Sequence, residues 1–180
     1  MQDEQSLVRR AQEHDQIALT QLYEENFDKI YRYVVLKIGD RAEAEDMTQQ
    51  VFLNALKSIS SYKYKGMRFS SWLFRIAHNQ VVDYYRRKAR STTVPLDENI
   101  VSGFDNPGLA TERKMEIEQM TMATKQLTMA QQEVISLRFA GELSIAEVAK
   151  VMKKSEGAVK ALQHAAIISL RKIMSVGMGP

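Results

Sequence analysis

Two stretches of this 180-residue chain carry groups suited to holding a nucleic acid. Tyr62, Lys63, Tyr64, Lys65 and Arg68 interleave aromatic rings with cations in one short segment. Separated bases need flat faces to stack on, worth roughly 1–3 kcal/mol each, and their backbone needs positive charge. Arg86, Arg87, Lys88 and Arg90 then place four cations within five residues, a density that suits phosphates. The net charge is only +3, but it is unevenly spread. Residues 63–90 hold 8 basic and 1 acidic side chains (+7), and residues 125–180 hold 8 and 4 (+4). Residues 1–62, with 7 and 11, and residues 91–124, with 2 and 6, are each at −4. Two basic blocks separated by an acidic segment predict two contact regions for a polyanion.

Other chemistries are disfavoured by what the chain lacks. With no cysteine there is no disulfide framework, thiolate zinc site or thiol nucleophile. His14, His78 and His164 lie far apart in sequence, so no histidine metal site is expected. There is no glycine-rich phosphate loop, clustered carboxylate pair or nucleophile–base motif. A helical hydrolase built on Asp46 and His78 therefore has no support. The expectation is binding without catalysis: no catalytic residue, no metal and no cofactor. No apolar run approaches the roughly 18 residues a membrane span needs. The start, MQDEQSLVRR, is acidic where a signal peptide would be basic and then apolar. A cytoplasmic location without membrane insertion is the expectation.

The elements that must position these groups read as helices throughout. Over 17–38, Ile17, Leu19, Leu22, Phe27, Ile30, Tyr31, Val34, Val35 and Ile38 recur mostly at three- and four-residue spacing and stop at Gly39. A second helix is predicted over about 41–59, with Ala44, Met47, Val51, Ala55, Leu56 and Ile59 on one face. A turn follows, in which Gly66 supplies a positive φ. A third helix, about 70–89, buries Trp72, Leu73, Ile76, Ala77, Val81 and Tyr84. These helices supply their own apolar faces, so the segment 1–95 is expected to fold by itself. From Arg90 to about Met115 the chain is rich in Ser, Thr, Asn, Asp, Gly and Pro and reads as a linker.

The second block begins near Gln119. Thr128 with Gln131, and Ser144 with Glu147, fit the capping-box pattern and place helix starts near 129 and 145. Gly141 is read as the end of the first of these helices. The next, IAEVAKVM, is short and stops at Lys153-Lys154. Ser155 can cap a longer helix to about Met174, with Val159, Leu162, Ala166, Leu170 and Ile173 inward. A short helix, a tight turn and a longer helix make a helix-turn-helix, whose second helix would enter the major groove.

In order, AEAEDMTQQVFLNAL, SWLFRIAHNQVVDYYRRKAR and LSIAEVAKVM…SEGAVKALQH resemble the bacterial RNA polymerase sigma factors of the extracytoplasmic-function group. The resemblance covers about residues 6–90 and 120–174. It implies an all-α chain of two small helical domains: region 2 over 1–90, a flexible linker over 91–119, and a region 4 helix-turn-helix over 120–180. It implies that Asp46, Gln49, Gln50, Phe52 and Leu56 grip the β′ clamp helices of core RNA polymerase, a set combining directional polar groups with apolar anchors. Gln50 departs from the glutamate common at that place. The resemblance assigns Tyr62, Lys63, Tyr64, Lys65, Arg68, Asn79, Arg86, Arg87, Lys88 and Arg90 to the minus-ten element of promoter DNA. Asn79 falls near the pocket for an extruded base, where an amide suits base-edge hydrogen bonds.

Toward the minus-thirty-five element the resemblance directs Arg138, Ser155, Lys160, Ala161, His164 and Arg171. Ala165, Ile167 and Ser169 stand where family members often carry basic residues, so fewer phosphate contacts are expected there. The family also implies docking of the C-terminal domain on the polymerase β flap, and an anti-sigma factor as a further partner. The alternative is a stand-alone helix-turn-helix regulator with a helical N-terminal interaction domain. That reading leaves the aromatic and basic stretch at 62–90 without a purpose.

Overall fold

The computed structural model describes residues 2–91 and 119–177, and the linker expected over 91–119 lies, from 92 to 118, outside the described residues. All regular structure among the described residues is helical. Helix α1 (Gln2–Gln12) precedes the helices anticipated from periodicity. Asp3 and Glu4 in its first turn and Arg9 and Arg10 in its last complement the helix dipole, and Leu7, Val8 and Ala11 are buried.

Local chemistry fixes the next boundaries. Asp15 accepts from the Ile17 and Ala18 amides and starts α2 (Gln16–Ile38). Gly39 ends it at φ 81°, a left-handed conformation that only glycine adopts without cost. Asp40 caps α3 (Arg41–Ser58) by accepting from the Glu43 amide. A 3₁₀ turn, Ile59–Ser61, leads into the loop 62–68, with Gly66 at φ 74°, and then α4 (Phe69–Arg90).

The second block opens with helical residues 119–125 (α5). Thr128 and Gln131 form the predicted capping box of α6 (Met129–Ile135), which continues into a π-helical turn, Ser136–Ala140. Ser144 and Glu147 form the second box, on α7 (Ile145–Met152). Lys153, at φ 54°, turns the chain, and the Ser155 hydroxyl accepts from the Ala158 amide to cap α8 (Glu156–Gly177).

One expectation is incomplete: beyond the faces that each block buries for itself, the two blocks share a core. Ile30, Tyr33, Val34, Leu73, Phe74, Ala77 and Val81 lie in the same apolar cluster as Val134, Leu137, Leu143, Val148, Val151 and Val159. The reason is that α2 and α4 each carry a second buried stripe. Tyr33 and Phe74 are fully buried and meet edge to face at 5.6 Å; the Tyr33 hydroxyl donates to Glu133 of α6, and the Phe74 ring lies against Gly141. Gly141 belongs to this junction: its φ is −82°, so it needs no unusual backbone. A Cβ there would sit 2.7 Å from the Leu137 carbonyl oxygen and 2.9 Å from the Phe74 ring. Glycine is required by close approach, not by turn geometry. Ile17 is corrected, being 72% exposed rather than part of the apolar face. A smaller second cluster, Ala123, Leu127, Ile135, Ala166 and Leu170, holds α5 and α6 against α8.

Candidate nucleic-acid interface

The loop 62–68 is held from both sides. Gln12 of α1 donates to the Ile59 and Tyr62 carbonyls, both at 2.9 Å. The Tyr62 ring packs on Trp72 (5.3 Å) and Phe69 (5.5 Å), and its hydroxyl donates to the Met67 carbonyl. Burial, with Glu4 nearby, pushes the Tyr62 pKa up to about 12, so the phenol stays a neutral donor. Tyr62 thus anchors the loop, whereas Tyr64 is 47% exposed at its tip between the exposed Lys63 and Lys65. Arg68 reaches Glu4 at 3.6 Å and Glu147 of α7 at 3.8 Å.

From α4, Asn79, Arg86, Arg87, Lys88 and Arg90 are exposed. Arg86 lies 3.9 Å from Asp83, and the Lys88 ammonium sits 5.0 Å over the Tyr84 ring. Arg86, Arg87 and Arg90 line a polar cleft of about 490 Å³ between α3 and α4, opposite Gln50 and Asn54. Gln80 also lines it, and its amide nitrogen is buried without a partner. An orphaned donor beside three guanidinium groups suits an acceptor oxygen. Sequence reasoning missed Gln80; the only available signal was an amide among apolar neighbours on α4.

Along α3, Asp46, Gln49, Gln50 and Leu56 are exposed. Leu53, which the sequence reading passed over, is exposed on the same stripe, seven residues after Asp46. Phe52 is buried, its ring 4.7 Å from Tyr23 and 6.2 Å from Phe27. It therefore props the stripe from behind. Beside Leu56 an apolar hollow of about 260 Å³ opens between Leu19, Tyr23, Phe52 and Leu73.

In the second block, α8 turns Val159, Ala166 and Leu170 inward and leaves Lys160, Ala161, His164 and Arg171 outward. Ile168 is exposed, while Ile167 packs on the smaller cluster. Arg138 donates to the Leu143 carbonyl (2.7 Å) and to Gln163 (2.8 Å), bracing α8 against the turn before α7. Ser155 is occupied as the cap of α8.

Besides the Arg68–Glu147 pair, two hydrogen bonds join the blocks at this surface. Glu147 accepts from the Ser71 hydroxyl at 2.9 Å, and Lys150 donates to the Gly66 carbonyl at 2.5 Å. Deeper in, His78 and Lys37 meet Glu133 of α6. His78, for which the sequence offered no metal or catalytic partner, is thus part of an ionic cluster.

An aromatic–cationic loop on one helical bundle and a helix-turn-helix on the next are the features of a helical DNA-binding protein. Residues 22–91 match Sigma-70 region 2, and residues 123–172 match Sigma-70, region 4. The chain belongs to the sigma-70 family of RNA polymerase sigma factors, in its extracytoplasmic-function group. It is 37% identical over 172 residues to the ECF RNA polymerase sigma factor BldN of Streptomyces coelicolor, covering 93% of this chain and 64% of BldN. With SigM of Bacillus subtilis, another ECF RNA polymerase sigma factor, it shares 26% over 163 residues, covering 90% of this chain and 98% of SigM. Among solved structures, CnrH in complex with the cytosolic domain of CnrY has the same fold, with a TM-score of 0.74 at 21% identity, over 96% of this chain and 97% of that one. RpoE from Bartonella quintana, solved with the anti-sigma factor NepR, gives 0.71 at 20% identity over 87% and 96%. Among the described residues no helix is long and apolar enough to cross a membrane.

Proposed function

We propose that this chain binds core RNA polymerase, carries it to particular promoters and stabilises the melted DNA there. The co-occurrence in one chain of the loop at 62–68 with its arginine-rich α4, and of the capped helix-turn-helix, carries the reading. A stand-alone regulator would account for α7 and α8 only. In this assignment residues 1–90 are the polymerase-binding and minus-ten domain, 91–119 the linker and 120–180 the minus-thirty-five domain. The stripe of Asp46, Gln49, Gln50, Leu53 and Leu56 meets the β′ clamp helices, with Phe52 supporting it. Tyr64 offers a stacking face, Lys63 and Lys65 neutralise the strand, and Asn79 reads a base edge. The cleft of Gln80, Arg86, Arg87 and Arg90 takes backbone phosphates.

On α8, Lys160 and His164 reach base edges, with Ala161 leaving room and Arg171 positioning the backbone. Arg138 and Ser155 contribute by holding α8 in place. The role is one of binding; phosphodiester chemistry belongs to the polymerase. Docking on the β flap and control by an anti-sigma factor rest on the family resemblance rather than on any surface of the described residues. A cytoplasmic location follows from the same reading.

The test is run-off transcription with core polymerase on genomic fragments, with and without the purified chain. Promoter-specific transcripts are expected only when it is present. In the same assay Tyr64→Ala combined with Lys65→Ala should reduce open complexes roughly 5- to 100-fold, the equivalent of one lost stack of about 1–3 kcal/mol. Affinity for core polymerase should change little. Unchanged permanganate reactivity of the bubble together with a collapse of core affinity would move this loop to the polymerase interface.

A further inference from the structure

Glu133 is a buried carboxylate of the second block, set where that block meets the first, and it lines a cleft together with residues of both. Its side chain is 6% exposed, yet it accepts from three donors of α2 and α4. The Tyr33 hydroxyl donates to Oε1 at 2.5 Å, His78 Nδ1 to the same oxygen at 2.7 Å, and the Lys37 ammonium to Oε2 at 2.6 Å. Lys37 is itself 5% exposed, and the Tyr85 hydroxyl donates to its backbone carbonyl. Burial and the neighbouring Glu133 keep the Tyr33 phenol protonated, and the cluster holds Glu133 ionised. Glu133 meets all three donors across the domain boundary, so withdrawing α6 gives up three charge-assisted contacts at once.

The same closure sets the helix-turn-helix on the melting loop. Lys150 holds the Gly66 carbonyl, and Glu147 holds Ser71 and approaches Arg68. Promoter elements named minus ten and minus thirty-five lie about 25 base pairs apart, on the order of 80 Å at 3.4 Å per pair. A compact chain of this length is only about 40 Å across. With α7 in hydrogen-bond contact with the loop, the two DNA-reading surfaces cannot reach both elements at once. The domains must separate before the promoter is read.

We propose that Glu133, with Tyr33, Lys37 and His78, is an interdomain latch that holds the chain in a closed, promoter-incompetent state. The silencing half of this statement rests on the two-element reading above; the latch itself does not. Binding of the polymerase supplies the competing contacts that open it. The latch is ionic where the surrounding core is apolar, so one substitution at Glu133 weakens closure without leaving a cavity in the shared apolar cluster.

The chain has no cysteine, so two introduced ones report the domain distance without background. Glu24→Cys on α2 and Ser175→Cys on α8 are exposed positions for spin labels in the full-length protein. Pulsed electron spin resonance should give one narrow distance distribution for the parent. Glu133→Gln should add a longer, broad population at least tenfold above the parent level, and should raise affinity for core polymerase by a comparable factor. His78→Leu, which removes the Nδ1 donor at a site only 24% exposed, should give an intermediate fraction, and it decides the matter if Glu133→Gln unfolds the chain. A distribution unchanged in the folded variants overturns the latch. Opening without any gain in polymerase affinity overturns the silencing role while leaving the promoter reading to the run-off assay.

Discussion

Leu137→Ala is expected to lower the unfolding temperature of the whole chain by roughly 5–20 °C. Leu137 sits in the π turn Ser136–Ala140, is fully buried, and belongs to the cluster that spans both blocks. Truncating a leucine at such a site costs about 2–5 kcal/mol, combining lost transfer energy with the cavity left behind. For a chain of this size each kcal/mol moves the midpoint by about 2–4 °C. The informative probe is Trp72, the single tryptophan, which lies in the first block against Tyr62 and Phe69. Because the core is shared, Trp72 fluorescence and far-ultraviolet circular dichroism should shift together. A Trp72 transition that stays put while the circular dichroism splits into two would show two independently folding blocks. That outcome would restore the expectation drawn from the sequence and remove the shared core.

Why the sequence pointed to separate blocks can be stated in terms of residues. The stripes on α2, α3 and α4 that pack against one another are nearly all aliphatic or aromatic and recur at helical spacing, so they were readable. Helix ends were readable for a different reason: Gly39, Thr128, Ser144 and Ser155 act within four residues of their own position. The second stripe was not. Tyr33 and Lys37, and Phe74 and His78, stand four residues apart on α2 and α4, and each pair mixes an aromatic with an ionisable group. Such a mixture looks like a solvated face until Glu133, a hundred residues from Tyr33, completes it. Helix α1 escaped notice because only Leu7, Val8 and Ala11 of its residues are buried, too few for a periodic signal.

The site residues divide along the same line. Side-chain exposure followed periodicity for Asp46, Gln49, Lys160 and His164, which all face outward. Roles that depend on tertiary neighbours did not follow. Phe52 joins an aromatic stack, Tyr62 anchors its own loop, and Arg138 ties α8 to the Leu143 carbonyl. In each case a residue type apt for a partner or DNA is held by intramolecular contacts. Leu53, Tyr64 and Arg171 are exposed, and in the proposed function they lie on the surfaces offered to polymerase and DNA.

The second large effect expected is on stability in acid, and it comes from Glu133. Burial alone would raise its pKa, but the His78 hydrogen bond and the Lys37 charge outweigh it and hold the carboxyl at about 2, against 4.5 ordinarily. The folded value lies below the unfolded one, so its contribution is complete above about pH 4.5. It is withdrawn as the pH falls through that value toward 2. A shift of that size corresponds to stability on the order of 3 kcal/mol. Glu147 is lowered in the same direction, burial being outweighed by its bonds to Ser144 and Ser71, but it is more exposed and contributes less. The control is Lys37→Met combined with Glu133→Leu, which removes both buried charges and fills the site with apolar atoms. Such replacements are often neutral or stabilising near pH 7, less here the cost of leaving the buried Tyr33 hydroxyl and His78 Nδ1 without their acceptor. Urea midpoints measured from pH 5 to pH 2 should fall steeply for the parent and more gently for the double variant, the two curves converging or crossing at the acid end. Curves that stay parallel over this range would mean that Glu133 does not link proton binding to the closed fold.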